Sequence, residues 1–231
     1  MRVKSLHEWN LSYSQAVDLQ RKLACRVQQT KLKKRPKVLA GLDCAFSRDG
    51  QRIIACCVVT QLPDFELVER TSAVRRAAFP YIPGLLSFRE APACIAAVEK
   101  LKMEPDVFII DGQGIAHPRR LGLAAHLGLF FDKPTIGCAK SRLTGTFESP
   151  ARQKGSYSLL KDGNEVLGAV VRTRDNVKPV FVSVGNKCRL QDAVQIVLAC
   201  AVKYRLPEPT RLAHHLVSRL RLGPGYAGAG K

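Results

Sequence analysis

The sequence predicts an α/β fold built on a mixed sheet with helices on its faces, and three observations carry this. Strand-like runs at about 37–46, 52–60 and 65–74 are joined by short connections at Asp49-Gly50 and Pro63-Asp64, which makes an antiparallel meander. Further runs at Asp106–Ile110 and Thr135–Ala139 are each preceded by a helical segment, and this strand–helix alternation demands parallel neighbours with right-handed crossovers. The 231 residues are 46% hydrophobic, enough for a sizeable core.

In chain order, Ser12-Tyr13-Ser14-Gln15 reads as a capping box. Ala16, Leu19, Leu23 and Val27 then recur at helical spacing. After the meander, two prolines and a glycine stiffen a loop, Phe79-Pro80-Tyr81-Ile82-Pro83-Gly84. A helix over roughly 88–102 follows, with Pro92 tolerable only in its first turn. Another helix runs from about Arg119 to Leu129 between the two parallel strands. A hairpin is expected over 156–173, turning at Asp162-Gly163-Asn164, then a strand over 180–184. Leu190–Val202 and Thr210–Leu220 read as helices. Residues 223–231, with four glycines, one proline and no core residue, read as a disordered tail. The chain shows no internal repeat and no linker, so residues 1–222 are expected to form one domain.

Composition narrows the function. The 37 Lys and Arg outnumber 19 Asp and Glu for a net charge of +18, which points to a nucleic-acid partner, because neutralised phosphates release counterions. The densest basic run lies between Arg21 and Lys37. None of the eight cysteines forms a C-x₂-C pair, and most sit in apolar runs. That pattern fits reduced thiols of a cytoplasmic protein and excludes a disulfide framework or a zinc site. Met1–Gln29 lacks the apolar region of a signal peptide, and no run approaches the ~20 apolar residues of a membrane span.

Against this cationic background stand three carboxylates. Asp43 closes Val38-Leu39-Ala40-Gly41-Leu42, Asp111 closes Val107-Phe108-Ile109-Ile110, and Glu90 lies in Ser87-Phe88-Arg89-Glu90. Singly each has an ordinary reading: a strand-end Asp as a turn residue, and Ser87-x-x-Glu90 as a capping box. If the first and fourth strands are parallel neighbours, however, Asp43 and Asp111 sit side by side at one end of the sheet, where open α/β sheets place their chemistry. Glu90 then arrives from the intervening helix. Hard oxygen ligands of this kind suit Mg²⁺ or Mn²⁺.

The same segments closely resemble the endonuclease V family over about residues 10–220. They occur in family order: Gly41-Leu42-Asp43; Pro80-Tyr81-Ile82-Pro83-Gly84-Leu85-Leu86-Ser87-Phe88-Arg89-Glu90; Asp111-Gly112-Gln113-Gly114-Ile115-Ala116-His117-Pro118-Arg119-Arg120; Gly137-Cys138-Ala139-Lys140-Ser141; Val182-Ser183-Val184-Gly185; and Leu206-Pro207-Glu208-Pro209-Thr210-Arg211. The metal-site motifs show no departure. The resemblance implies a ribonuclease-H-like fold, with a mixed five-stranded central sheet flanked by helices, an added hairpin and C-terminal helices. It implies that Asp43, Glu90 and Asp111 hold the metal, that Lys140 lies near the scissile phosphate, and that His214 is catalytic. Its neighbour His215 is separated from it only by motif spacing. Pro80 to Gly84 becomes a strand-separating wedge led by Tyr81 and Ile82; such wedges fill the gap beside an extruded base. Leu85, Gly112, Gly114 and His117 are candidates for the base pocket, and Arg119 and Arg120, at a helix start, for phosphate contact.

The implied activity is Mg²⁺-dependent hydrolysis of DNA containing deoxyinosine at the second phosphodiester bond on the 3′ side, by a monomeric repair enzyme acting on duplex or single strands. An inosine-specific ribonuclease of the same fold is the alternative. A nucleic-acid-binding module without catalysis is the further one, which the three intact carboxylates disfavour.

Overall fold

The computed structural model describes residues 1–222; the expected tail, 223–231, lies outside them. The first helix, α1 (Tyr13–Ala24), opens on the expected capping box: Gln15 N donates to Ser12 Oγ and Ser12 N to Gln15 Oε1. The strands are β1 (Val38–Phe46), β2 (Arg52–Gln61), β3 (Glu66–Arg76), β4 (Val107–Ile110), β5 (Thr135–Ala139), β6 (Tyr157–Asp162), β7 (Glu165–Val171) and β8 (Val180–Asn186). Helix α2 (Leu86–Val98) precedes β4, α3 (Leu123–Phe131) joins β4 to β5, and α4 (Leu190–Cys200) and α5 (Glu208–Leu222) close the described chain.

All eight strands belong to one sheet, in the order β3-β2-β1-β4-β5-β8-β7-β6. The meander is antiparallel, and β1, β4 and β5 run parallel, as the sequence predicts. The expected count of five strands with an added hairpin is corrected to eight: β8 pairs antiparallel with β5, and its other edge takes β7, so the hairpin extends the same sheet.

The strand period of two decides what each face meets. Ala40, Leu42, Phe108 and Ile110 pack with α2 and α3. Leu39, Val107, Ile109 and Val182 pack with α4 on the other face. Helix α5 joins that second face: Val217 packs on Ile54 and Cys56 of β2, and the first turn of α5 lies on β1 at Gly41. A Cβ on residue 41 would stand 2.0 Å from the Pro209 carbonyl oxygen, so only glycine permits this approach.

Three local expectations are corrected. Helix α2 begins at Leu86, so Pro92 is its seventh residue and lies inside the helix rather than in the first turn. Ser87 makes no cap; its hydroxyl bonds His126 Nδ1 at 3.0 Å. The helix expected from Arg119 starts only at Leu123, because Arg120 is left-handed (φ 58°) and Gly122 is extended at the N-cap.

Candidate active site

Parallel pairing of β1 with β4 aligns Leu42 with Ile110, and Asp111 N donates to Leu42 O at 3.0 Å. Asp43 and Asp111 therefore stand side by side where that pairing ends. Asp43 is in phase with Leu39 and Gly41, on the face covered by α5, and the close approach at Gly41 brings His214 over it. His214 Nδ1 donates to Asp43 Oδ2 at 2.7 Å, while the other oxygen of Asp43 accepts from Cys44 N at 2.8 Å. Lys140, directly after β5, pairs with Asp111 Oδ2 at 2.5 Å.

Ligand atoms of Asp43, Asp111 and His214 lie within 4.8 Å of one another. Glu90 is not in this group. It reaches the site from α2, on the opposite face, behind Cys44. The expected set of three carboxylates is thus arranged as two carboxylates and a histidine close together, with the third carboxylate buried at their side.

The electrostatics fit a cation. Burial, then the charge of Asp111, raises the Asp43 carboxyl above its usual range against the opposing pull of His214 and Lys140. Burial pushes Glu90 up to about 7, helped by the charges of Asp43 and Asp111 and opposed by a Cys44 hydrogen bond. Carboxylates crowded at the cost of their own ionisation form a site that a hard divalent ion relieves, and one or two carboxylates completed by water and phosphate oxygens is the usual Mg²⁺ arrangement.

Beside the carboxylates opens a cavity of about 440 Å³. Glu90, Asp111 and Lys140 lie on its wall together with Tyr81 to Gly84, Gly112 and His117. Tyr81 is 70% exposed at the tip of its loop, and Ile82 packs inward against Phe79, Leu85 and Phe88. The loop is held at both ends. Arg89 donates to Phe79 O at 3.0 Å and to Gly50 O at 3.2 Å, with its guanidinium over Phe46. Gly84, at φ +78°, has its carbonyl oxygen held by Arg119 at 2.7 Å and Gln20 at 3.0 Å.

Comparison with known proteins decides the family. The endonuclease V family model matches residues 21–215. The chain belongs to the endonuclease V family. It is 49% identical to endonuclease V of Methanothrix thermoacetophila over 216 residues, 94% of this chain and 95% of that one. With that of Trichormus variabilis it shares 47% identity, covering 94% and 99%. Among solved structures, endonuclease V of Bacillus subtilis superposes with a TM-score of 0.92 at 35% identity, over 96% of this chain and 98% of that one. The Ciona intestinalis enzyme, solved with a 24mer DNA containing an inosine followed by a ribo-adenosine, gives 0.74 at 30% identity, covering 88% and 95%.

Not every residue assigned from the endonuclease V motifs reaches the cavity. Leu85 is fully buried in the core with Ala16, Val17, Phe79 and Phe88. Gly114 lies against β8, where a Cβ would stand 2.0 Å from Val184 O; its lack of a side chain serves sheet packing, not a ligand. Arg119 is committed to Gly84 and Gln20, and Arg120 pairs with Asp162 and Glu165 on the hairpin, so neither waits at a helix start for phosphate. His117 is 4% exposed and accepts from Arg119 N at 3.1 Å; burial, then the adjacent Arg119 charge, lowers it to about 4.

Sequence reasoning missed four supporting residues. Arg89 and Gln20 hold the loop. Gln113 and Arg205 hold the chain around Lys140, donating to Ser141 O at 2.9 Å and to Lys140 O at 2.8 Å. Arg89 and Gln113 stand inside the endonuclease V motifs, and a long donor flanked by functional residues was the available signal. Nothing local marked Gln20, whose partners lie 64 and 101 residues away.

Proposed function

We propose that this chain is a Mg²⁺-dependent endodeoxyribonuclease that recognises deoxyinosine and hydrolyses the second phosphodiester bond 3′ to it, leaving 3′-hydroxyl and 5′-phosphate ends. The observation that carries this reading is a cavity that Asp111, Glu90 and Lys140 share with a pinned loop bearing an exposed tyrosine, with Asp43 and His214 clustered at Asp111. The Ciona relative's inosine-containing DNA supports the choice of lesion.

Asp43 and Asp111 would hold the ion, with Glu90 and His214 beside them. Mg²⁺ bound there supplies Lewis-acid stabilisation of phosphate charge and a water of lowered pKa. His214 keeps the Asp43 carboxylate oriented through its 2.7 Å hydrogen bond. The Lys140 ammonium, held at Asp111 and steadied through its own carbonyl by Arg205, offsets charge on the phosphate being cut. Tyr81 presents its ring to the gap left by an extruded base, and Gly112 leaves the cavity wall open for that base.

The second reading is cleavage of inosine in RNA, and the ribo-adenosine after the inosine in the Ciona complex is the observation that favours it. Matched strands carrying deoxyinosine or inosine, incubated with and without Mg²⁺ and mapped at single-nucleotide resolution, test both. Faster cutting of the deoxyinosine strand at the second 3′ bond is expected. Preference for the RNA strand establishes the second reading, and cutting independent of divalent ion overturns both.

A further inference from the structure

The basic stretch before β1 takes no part in the catalytic end. It lies at the opposite end of the sheet. Pro36, Asp106 and Pro134 lead into the parallel strands β1, β4 and β5, and Lys187 follows β8 at the same end. From Pro36 to Asp43 the extended chain spans about 23 Å, with the sheet between the two ends.

Two grooves of about 490 and 400 Å³ flank this stretch and share Lys31, Leu32, Lys34 and Pro36 in their walls. The first is further walled by Lys33, Lys133 and Lys187. The neighbouring acids are committed. Asp106 takes Lys34 and the amides of Lys37 and Val38; Glu104 takes Lys133; Asp132 takes Lys4 and Lys187; Asp192 takes the amide of Leu32. Lys31, Lys33, Arg35 and Lys37 are exposed and have no ion-pair partner among the described residues.

The stretch has no regular secondary structure, yet it is pinned. Gln28 N donates to Asn186 Oδ1 at 3.0 Å, Leu32 N to Asp192 Oδ2 at 3.2 Å, and Lys37 N to Asp106 Oδ2 at 2.9 Å. Buried or half-buried acceptors thus fix the backbone while four cationic side chains face outward with their mutual repulsion uncompensated. Free cations on a fixed backbone flanked by grooves form a surface preorganised for a polyanion.

We infer that the end of the sheet opposite the carboxylates is a second nucleic-acid-binding face, in which Lys31, Lys33 and Arg35 engage the phosphates of a segment other than the one being cut. The occupant is a nucleic acid because the protein's proposed substrate supplies that polyanion wherever the enzyme works; to this extent the inference rests on the proposed function. The occupant is the stretch of a long duplex that extends beyond the segment held at the catalytic end.

The test compares the intact protein with a Lys31→Gln/Lys33→Gln/Arg35→Gln variant, in chelator, on undamaged duplexes of two lengths. One just covers the catalytic end; the other is several helical turns long. Each phosphate contact contributes about −0.9 to the slope of log K against log salt, so the variant should lose up to about 2.7 of slope on the long duplex. Between about 50 and 200 mM salt its affinity then falls roughly 40-fold less than that of the unaltered protein. On the short duplex the slopes should coincide. Melting temperature and cleavage of a short deoxyinosine duplex should be unchanged. An unaltered slope on long DNA overturns the inference, and so does an equal loss on both lengths, which would put these residues in the catalytic footprint. Should the unaltered protein fail to cut deoxyinosine, the proposed function fails, while the slope comparison still decides the second face.

Discussion

Gly41→Ala tests how the site is assembled, because it changes a residue that touches neither metal nor substrate. The added Cβ would stand 2.0 Å from Pro209 O, 2.1 Å from its carbonyl carbon and 2.5 Å from Thr210 N. Ordinary contact begins at 3.4 Å, so strand and helix must part by more than 1 Å. Both sides of the clash are backbone, and no rotamer change relieves it. Overpacking of a tight core costs about 1–3 kcal/mol, and rigidity on both sides puts this case at the upper end. At about 2–4 °C per kcal/mol for a chain of this size, the melting temperature should fall by roughly 6–12 °C. The activity consequence follows from His214, which α5 carries onto Asp43. A displacement of ~1 Å in a catalytic group can cost about 100-fold, and single-turnover cleavage of a deoxyinosine duplex, well below the new melting temperature, measures it. A double-mutant cycle with His214→Ala separates this route from general loosening. If Gly41→Ala acts by moving His214, it should cost much less in the His214→Ala background. Equal loss in both backgrounds, or an unchanged melting temperature, would refute the reasoning.

The other expectations are shorter. Asp43→Ala and Asp111→Ala should abolish cleavage yet retain duplex affinity in a filter or anisotropy assay, since affinity resides in Lys and Arg; either variant cutting at the normal rate removes that residue from the metal site. Tyr81→Ala should leave melting temperature unchanged, as its ring is 70% exposed. It should slow duplex cleavage by about 10- to 100-fold, from an unstacking cost of a few kcal/mol, and single-strand cleavage by less; an equal loss on both substrates assigns it to the pocket instead. Acid stability should report His126, which burial and then His7 lower to about 3. Its folded pKa lies below the unfolded value of about 6.5, so its stabilisation is complete above pH 6.5 and drains away as pH falls, by up to ~1.4 kcal/mol per unit. His117 acts in the same direction below pH 6.5, and Glu90, raised to about 7, in the opposite one. Denaturant titrations of His126→Gln in chelator should therefore show a flatter acid limb than the unaltered protein; an unchanged limb would mean that His126 is not held neutral.

Much of this site was legible in the sequence because its carboxylates interrupt apolar strands. A charge closing Val107-Phe108-Ile109-Ile110 reads singly as a turn residue; it gained weight only beside Asp43, through the parallel order that followed from the helical crossovers. The phase of β1 was legible too, but only in retrospect. Asp43 shares a face with Leu39 and Gly41, while Cys44 points toward Glu90, so the helix bearing His214 and the helix bearing Glu90 had to approach from opposite sides. Choosing between those faces needs to know which helix covers which, and that is a long-range fact. The same limit explains the hairpin, whose turn at Asp162-Gly163 was evident while its attachment through β8 to β5 was not. Ser87-x-x-Glu90 has capping-box spacing but falls two residues late, since the N-cap of α2 is Leu85. The start of α3 was misplaced because Arg120 takes a left-handed conformation that glycine or asparagine would have announced and arginine does not.

The two anchors of the Pro80–Gly84 loop have a bearing on where the cut falls. Arg89 precedes Glu90 in the same helix, and Arg119 follows Asp111 in the same connection, so the segments that carry the acids also grip the loop proposed to meet the lesion. In the proposed reaction the broken bond is offset from the altered base by a set number of nucleotides. With the loop fastened to the acids at both ends, that offset becomes a length built into the protein, a gauge that lays off the same interval whatever bases flank the inosine.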